Sequence, residues 1–203
     1  MPGPRELMEL RSGAVRLRPL RRRDQDAWQR LRRRNARWLL RWEATSPDGT
    51  VPRATFTGYV RQLNRAARED TGYAFVVEYR GELVGQVSVA GVNRGSLQSA
   101  SIGYWISEHV AGRGIIPTAV AMVVDYCFTD LGLHRVEINI RPENAASLRV
   151  VEKLGFRDEG LRRAYLHIQG QWADHRSFAL TVEEAAPSLL ERWLASRGSA
   201  PLT

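Results

Sequence analysis

Two glycines in a short loop, followed at once by a helix that opens with proline, are the residues of this chain best suited to hold a phosphate group. Gly112 and Gly114 flank Arg113, and Ile115-Ile116-Pro117 comes next. Proline is tolerated in the first turn of a helix, where the leading amide N–H groups stay unpaired at the positive end of the dipole. Glycine lets a ligand come close to the backbone. The pattern predicts a diphosphate-binding loop, although the same glycines on their own also fit an ordinary turn.

A second set of polar residues follows the next strand. Asn144 and Ser147 belong to the run Pro142-Glu143-Asn144-Ala145-Ala146-Ser147, which leads into a short helix that ends at Gly155. The asparagine can cap that helix through its side-chain oxygen, or it can contact a ligand. The serine hydroxyl can hydrogen-bond a developing negative charge, although it is a poor acid, or it can simply start the helix. Both interpretations stay open for each residue.

The elements that position these residues indicate a mixed sheet with helices on its faces. Three consecutive strands, at 73–79, 83–92 and 97–106, are separated by short turns and predict an antiparallel meander. The last strand enters the glycine loop, and a helix at 118–131 must carry the chain back to a parallel strand, Arg135–Ile140. The predicted fold class is α+β, with a mixed, mostly antiparallel twisted sheet flanked by helices.

Further local signals complete this pattern. Residues 15–20 alternate apolar and polar side chains like a strand, and Asp24 is placed to cap the helix that follows. Gln169-Gly170 is typical of a hairpin turn. The four histidines lack the spacing of metal ligands. His175 is interpreted as a structural residue that packs in the closing hairpin with a local hydrogen bond to Asp174.

Length and composition fit one cytoplasmic domain. The chain has 203 residues and no Pro/Gly/Ser-rich linker, so residues 1–203 are interpreted as a single domain, with a core at about 14–182 and a C-terminal tail at 183–203. No window is apolar enough to span a bilayer, and the N-terminus lacks the apolar core of a signal peptide. The single cysteine, Cys127, lies on an apolar helix face and is expected to pack rather than react.

Positive charge is concentrated at the start of the chain. Residues 1–41 contain thirteen arginines and four acidic residues. The net charge of this segment, 13 − 4 = +9, exceeds the net charge of +8 of the whole chain. Such a segment could neutralise phosphates of RNA and release their counterions. It could also be a solvated helix face in a chain whose only lysine is Lys153. No aromatic interleaving or nucleic-acid motif accompanies the arginines, which favours the solvated face.

The ordered series of motifs resembles the GCN5-related N-acetyltransferase superfamily. The glycine loop, the helix after it, the strand Arg135–Ile140, the Asn144 segment and the run Val151-Glu152-Lys153-Leu154-Gly155-Phe156 occur in the order typical of that superfamily. Several separated motifs in one order are much more specific than any one of them. The resemblance implies binding of acetyl-CoA at the loop and transfer of its acetyl group to an amine, without a metal.

Three further segments narrow the resemblance to the ribosomal-protein-alanine N-acetyltransferases. They lie at 35–43, 93–96 and 165–175, and the resemblance as a whole covers roughly residues 14–182. Members of this subgroup acetylate the N-terminal α-amino group of a ribosomal protein. The resemblance therefore implies that the partners of this chain are acetyl-CoA and a protein N-terminus, with direct transfer in a ternary complex.

The resemblance also implies a set of cofactor contacts. The diphosphate would bind the backbone amides of Ala111, Gly112, Arg113, Gly114, Ile115 and Ile116. Trp105 and Ile106 would lie along the pantetheine arm, and Asn144 would contact the cofactor. Relatives usually carry Gln or Arg at the first loop position and Gly or Ala at the sixth, where this chain has Ala111 and Ile116. One side-chain contact to phosphate is therefore missing, whereas the amide cradle is kept.

For the transfer itself, the resemblance points to two side chains. Many relatives use a tyrosine as acid where this chain has Val151, so Ser147 becomes the candidate to hydrogen-bond the CoA sulfur. Glu43 is the candidate carboxylate facing the amine, and a salt bridge to a neighbouring arginine would explain it equally well. The glutamate that some relatives place on the penultimate strand is Leu166 here. An α-amine has an ordinary pKa of about 7.7 to 8.0, so proton removal through water can suffice.

Two other functions stay open at this level. A small amine, such as a polyamine, an aminoglycoside or an amino acid, could be the acceptor, because variable loops build acceptor pockets. The basic N-terminal segment would then be odd, since polyamines are cations. The chain could instead be a ribosome-binding or RNA-binding assembly factor with weak transferase activity. The altered loop positions favour that function, whereas the retained Gly112, Gly114, Asn144 and Ser147 argue against it.

Overall fold

Eight strands and seven α-helices make up residues 8–49 and 55–198, the part of the chain that the computed structural model describes. The strands are β1 Leu10–Ser12, β2 Val15–Pro19, β3 Gly72–Tyr79, β4 Glu82–Asn93, β5 Ser99–Ile106, β6 Arg135–Ile140, β7 Arg157–Ile168 and β8 Gln171–Thr181. The helices are α1 Gln25–Arg34, α2 Ala36–Leu40, α3 Phe56–Arg68, α4 Ile115–Thr129, α5 Ala145–Leu154, α6 Val182–Ala185 and α7 Leu189–Ser196. None of these helices is long and apolar enough to cross a membrane.

All eight strands belong to one sheet, in the order β1-β2-β3-β4-β5-β6-β8-β7. Neighbouring strands are antiparallel except β5 and β6, which are parallel. Those two strands pair only where Ser99–Ser101 lies opposite Arg135–Glu137, and they separate beyond that point. The mixed, mostly antiparallel sheet predicted from the sequence is confirmed. The separation of β5 from β6 opens a gap in the middle of the sheet.

Helix α4 covers one face of the sheet. Its side chains are apolar on almost every side, as in a helix buried all round, and 13 of its 15 residues are buried. It shares one core with Leu17, Phe75 and Val87 of the strands, which are fully buried. Cys127 lies inside this core, as predicted, and burial raises the pKa of its thiol to about 12. The thiol therefore stays protonated and unreactive near neutral pH.

On the opposite face, beneath α3 and the turn that leads into α1, three charged side chains are buried together. Arg18 donates to Asp24 (Nη1 to Oδ2, 2.7 Å) and to Glu78 (Nε to Oε1, 2.7 Å), and none of the three side chains is more than 10% exposed. Asp24 occupies the N-cap position of α1, as predicted, but its side chain makes no hydrogen bond to the amides of that helix. Its carboxylate accepts from the amide of Arg21 at 2.7 Å and closes the preceding 3₁₀ turn instead. The buried pairing with Arg18 holds the carboxylate there, away from the amides of α1.

Two helices, α6 and α7, lie almost entirely within the segment that the sequence analysis interpreted as a C-terminal tail, as far as the structure describes it. Asp125, in the second half of α4, accepts hydrogen bonds from Ser188 Oγ (2.6 Å) and from the amide of Leu189 (2.8 Å). Trp193 is buried, and its Nε1 donates to Thr118 Oγ1 at 2.9 Å. Because Thr118 lies in the first turn of α4, α7 runs antiparallel along α4. The end of α7 therefore lies next to the glycine loop.

Candidate active site

The gap between β5 and β6 widens into a cleft of about 470 Å³. The end of β5, the glycine loop with the first turn of α4, helix α5, and the segment from Trp38 to Glu43 form its walls. All of the predicted cofactor and catalytic residues except Arg113 line it. The Arg113 side chain is exposed, and its Nη2 donates to the carbonyl of His109 at 3.2 Å. The topology thus brings together residues that are as much as 104 positions apart, from Glu43 to Ser147.

The glycine loop presents a row of free amides. Gly112 and Gly114 have φ angles of +81° and +80°, which side chains with a Cβ rarely adopt. Helix α4 begins at the next residue, so its first amides have no carbonyl to bond within the helix. The amide of Ala111 donates to the carbonyl of Glu108 at 3.0 Å, whereas those of residues 112–116 have no partner within the described part of the chain. Five of the six amides predicted to bind diphosphate are therefore available.

At the end of β5, alternate residues direct their backbone groups to opposite sides. The Trp105 carbonyl points at β4, since a Cβ added to Gly85 would lie 2.3 Å from its oxygen. In an antiparallel pair the neighbouring Tyr104 and Ile106 must then direct their backbone groups toward the gap. The Ile106 carbonyl already accepts from Trp38 Nε1 at 3.0 Å. The backbone of Tyr104 and the amide of Ile106, rather than the backbone of Trp105, are therefore free to pair with an amide-containing arm.

Helix α5 brings Asn144 and Ser147 to the cleft. Asn144 Oδ1 accepts from the amide of Ser147 at 3.2 Å, so the residue caps α5 while its Nδ2 has no partner among the described residues. The capping role and a ligand-binding role are therefore compatible. The hydroxyl of Ser147 likewise makes no hydrogen bond within the described part of the chain, and it lies on the cleft wall. It is free to donate to a ligand.

Tyr104 is a cleft residue that the sequence analysis missed. Its hydroxyl crosses the cleft from β5 and donates to the carbonyl of Ser147 at 3.4 Å. Burial raises its pKa, so the hydroxyl remains protonated at neutral pH. The signal that could have identified it is its position two residues after the buried Ile102, on the inward side of an alternating strand.

Glu43 is the one acidic side chain that lines the cleft in the described part of the chain. Arg32 of α1 pairs with both of its carboxylate oxygens, with 2.7 Å between Nη2 and Oε2. The same guanidinium lies over the Trp105 ring, 5.2 Å from its centroid. The salt bridge that the sequence left open as an alternative is thus present. It does not exclude a role toward an amine, because a fixed carboxylate at the cleft is suited to holding an ammonium group.

The segment that carries Glu43 is fastened at both ends. Asn35 Oδ1 accepts from the amide of Glu108 at 2.9 Å, beside the glycine loop. At the other end, the amide of Thr45 donates to the carbonyl of His167 at 2.8 Å, in the hairpin of β7 and β8. These contacts join the segment at 35–45 to the glycine loop on one side and to the closing hairpin on the other. They hold one wall of the cleft in place.

The histidines lie outside the cleft wall. His175 is buried with its Nδ1 3.0 Å from the carbonyl of Ala173, and burial lowers its pKa. The predicted hydrogen bond from His175 to Asp174 is wrong, since Asp174 accepts from the amide of Ala164 at 2.7 Å. Successive side chains of a strand point to opposite faces, which separates the two. Within residues 8–49 and 55–198, no group of three or more His, Cys, Asp or Glu is arranged to hold a metal ion.

Comparison with known proteins identifies acetyltransferases over most of the chain. The "Probable N-acetyltransferase YjcK" of Bacillus subtilis (strain 168) is 39% identical over 63% of this chain and 70% of that protein. The ribosomal protein uS5-alanine N-acetyltransferase of Escherichia coli (strain K12) is 27% identical over 81% of this chain and 87% of that enzyme. The structure of Mycobacterium smegmatis RimJ in complex with CoA-disulfide superposes with a TM-score of 0.86 at 40% identity, covering 96% of this chain and 95% of that one.

The residues present fit acetyl-CoA. Five unpaired amides at a helix N-terminus suit a diphosphate, and the free edge of β5 suits the amides of a pantetheine arm. The unpaired Ser147 hydroxyl lies on the wall of the same cleft. The model of the acetyltransferase (GNAT) domain matches residues 14–157, and the chain therefore belongs to this family of acyltransferases, with acetyl-CoA as the acyl donor.

Proposed function

We propose that the protein transfers the acetyl group of acetyl-CoA to the N-terminal α-amine of a ribosomal protein, in the cytoplasm. The observation that carries the proposal is the placement of one fixed carboxylate, Glu43, in the cleft that also holds the unpaired Ser147 hydroxyl. A curated relative and a solved structure that are named for ribosomal-protein-alanine acetylation match most of the chain and support the choice of acceptor.

The transfer is direct, in a ternary complex. The amine nitrogen attacks the thioester carbonyl carbon, the C–N bond forms, the C–S bond breaks, and the sulfur leaves with the electron pair and takes up a proton. A covalent acyl-enzyme is disfavoured because no cysteine lines the described cleft and Cys127 is fully buried. An α-amine with a pKa of about 7.7 to 8.0 is partly neutral at neutral pH, so no strong base is required.

Two residues carry out the chemistry in this proposal. Ser147 donates a hydrogen bond to the leaving sulfur, and its carbonyl is held by the Tyr104 hydroxyl across the cleft. Glu43 receives the incoming ammonium group, while Arg32 and the Trp105 ring keep its carboxylate in one orientation. The carboxylate binds and orients the acceptor, and water removes the proton.

The proposal is tested by CoA release and intact mass with a panel of acceptors. The panel contains peptides with N-terminal alanine or serine from ribosomal proteins, internal-lysine peptides, polyamines, aminoglycosides and amino acids. A single acetyl group on a peptide α-amine is the expected result. Turnover on small amines alone would transfer the assignment to them, and tight binding of acetyl-CoA with no turnover would favour a binding factor.

Replacement of Glu43 by glutamine is expected to raise the KM for the peptide about 10-fold, because a charge-assisted hydrogen bond to the ammonium group is lost. The affinity for acetyl-CoA, measured by calorimetry, should not change. Glu143→Gln is the matched control, because Glu143 is 62% exposed, pairs with Arg141 and does not line the cleft. Equal peptide KM values for the wild type and Glu43→Gln would remove Glu43 from acceptor binding.

We further propose that the exposed arginines of the α1–α2 region contact RNA near the acceptor. Arg30, Arg33 and Arg34 follow one face of α1, Arg37 lies in the first turn of α2, and all four are exposed. None of them has an acidic partner among the described residues, unlike Arg32. Unpaired arginines on one face can neutralise several phosphates at once.

Salt titration of binding to a ribosomal RNA fragment tests this contact. Arg30, Arg33 and Arg34 changed together to alanine should lower the slope of log K against log salt by about 2 to 3. Arg61, Arg65 and Arg68, exposed residues of α3, are changed to alanine in a charge-matched control. An equal loss in both variants would show that only net charge matters and would overturn a specific RNA surface.

A further inference from the structure

Helix α7 positions the guanidinium of Arg197 beside the glycine loop. Asp125 fixes the start of α7, and the hydrogen bond from Trp193 to Thr118 fixes its end against the first turn of α4. Thr118 Oγ1 in turn donates to the carbonyl of Gly114 at 2.9 Å. The residue that follows α7, Arg197, is therefore held against the loop by a continuous chain of hydrogen bonds.

The guanidinium of Arg197 contacts the loop directly. Its Nη1 lies 2.6 Å from the point that a Cβ on residue 114 would occupy, and its Cζ lies 3.0 Å from that point. The guanidinium also stacks on the Trp193 ring, 5.3 Å from the centroid. Only glycine at position 114, with its φ of +80°, leaves this space open.

Arg197 has no acidic partner within the described part of the chain. Its guanidinium stacks on the Trp193 ring and lies beside Gly114, and its own amide donates to the carbonyl of Leu194 at 3.2 Å. The side chain is only partly exposed, so its charge is incompletely hydrated. A cation held beside five unpaired amides without a carboxylate has its donors available for an anion.

The side chains of the glycine loop itself offer little positive charge to a bound diphosphate. Ala111 has no donor in its side chain, and Arg113 is exposed and donates to the carbonyl of His109. Arg149 and Lys153 line the cleft from α5, on the other wall. A cation on the α4–α7 side would complete the charge around a diphosphate bound between the two walls.

We propose that Arg197 binds the diphosphate of acetyl-CoA and takes the place of the side-chain donor that Ala111 lacks. Arg197 does not line the cleft itself, so its guanidinium would turn from Gly114 toward an anion on the amides of residues 112–116. This proposal concerns the acyl donor and does not depend on which amine is the acceptor. The test of Arg197 can therefore fail while the proposed function holds. Equally, the proposed acceptor can be wrong while Arg197 binds the diphosphate.

Calorimetric affinities for three ligands test the proposal. Arg197→Ala and the neutral, similar-sized Arg197→Gln are compared with the wild type and with Arg68→Ala, a control that removes one exposed positive charge of α3. The ligands are CoA, 3′-dephospho-CoA and pantetheine, the last measured by competition. Both Arg197 variants should bind CoA and 3′-dephospho-CoA about 10-fold more weakly, the size of one charge-assisted hydrogen bond, with pantetheine unchanged.

Each other pattern overturns the proposal. Weaker binding of CoA with unchanged 3′-dephospho-CoA would assign Arg197 to the 3′-phosphate. An equal loss for pantetheine would show that the substitution alters the shape of the cleft, and thermal melting of each variant would show the accompanying change in stability. Unchanged affinity for all three ligands would leave Arg197 a packing residue on Trp193.

Discussion

Ser147→Ala is expected to lower kcat about 10- to 100-fold while the affinity for acetyl-CoA stays the same. The Ser147 hydroxyl has no partner within the described part of the chain and lies on the wall of the cleft, so its free donor can stabilise the leaving sulfur. A hydrogen bond to a charged group contributes about 1.5–3 kcal/mol, and each 1.36 kcal/mol is about tenfold in rate. Single-turnover kinetics and calorimetry separate the two effects.

The substitution leaves the local structure intact. The amide of Ser147, rather than its hydroxyl, donates to Asn144, so alanine keeps the cap of α5. Tyr104→Phe is the companion variant, because it removes the second hydroxyl of the cleft without touching the first. If Ser147→Ala kept full activity and Tyr104→Phe lost it, the sulfur contact would belong to Tyr104.

Arg18→Ala is expected to lower the free energy of unfolding by about 3 kcal/mol. The substitution leaves the carboxylates of Asp24 and Glu78 buried without their main partner. Removing one member of a buried ionic cluster costs about 3–5 kcal/mol, because the remaining charges are poorly solvated. Glu78 keeps a weaker contact with Arg16 at 3.3 Å, which places the expected effect at the lower end. Urea denaturation measures it.

Arg16→Ala is the matched control for this prediction. Its side chain is 41% exposed, so the same loss of charge should cost less than about 1 kcal/mol. Equal losses in the free energy of unfolding for Arg18→Ala and Arg16→Ala would contradict the claim that burial makes the Arg18 pairings stabilising.

The pH dependence of stability follows from Asp24. Burial acts to raise its pKa, but the hydrogen bonds from Arg18 and from the amide of Arg21 outweigh burial and lower it. A carboxylate with a lowered folded-state pKa stabilises the fold fully above its unfolded pKa of about 3.9, and the contribution is lost as the pH falls through the folded value. Arg18→Ala should therefore flatten the acid limb of the stability profile.

The local backbone of the cofactor site could be predicted from the sequence. Gly112, Gly114 and Pro117 determine a turn and a helix start through their own φ preferences. The alternation of β5 and the capping of α5 by Asn144 depend on residues at most a few positions apart. The order of these elements was sufficient to predict the mixed sheet. The resemblance to the acetyltransferase superfamily supplied the eleven predicted site residues, and ten of them line one cleft in the structure.

Contacts between distant residues decided the rest. Arg18 occupies a polar position of an alternating strand, and it is buried only because the turn before α1 covers that face with Asp24. Trp38 reaches Ile106 across 68 positions, and Trp193 reaches Thr118 across 75. In both pairs, the residues next to one partner in the sequence do not indicate which distant residue it contacts. The sequence alone therefore indicates a tail where α7 lies, and it gives no signal that Arg197 reaches the glycine loop.

The sequence by itself determined the loop and the strands, because glycine, proline and alternating side chains act on their own neighbours. The acyl donor followed from the resemblance of the ordered motifs to the acetyltransferase superfamily. The tertiary structure alone decided which charges are buried, which partner holds Glu43, and which side chains from other segments lie beside the glycine loop. The physical reason is that burial and pairing depend on what other segments bring to the same place. That is a property of the packed sheet and helices, and no single stretch of chain contains it.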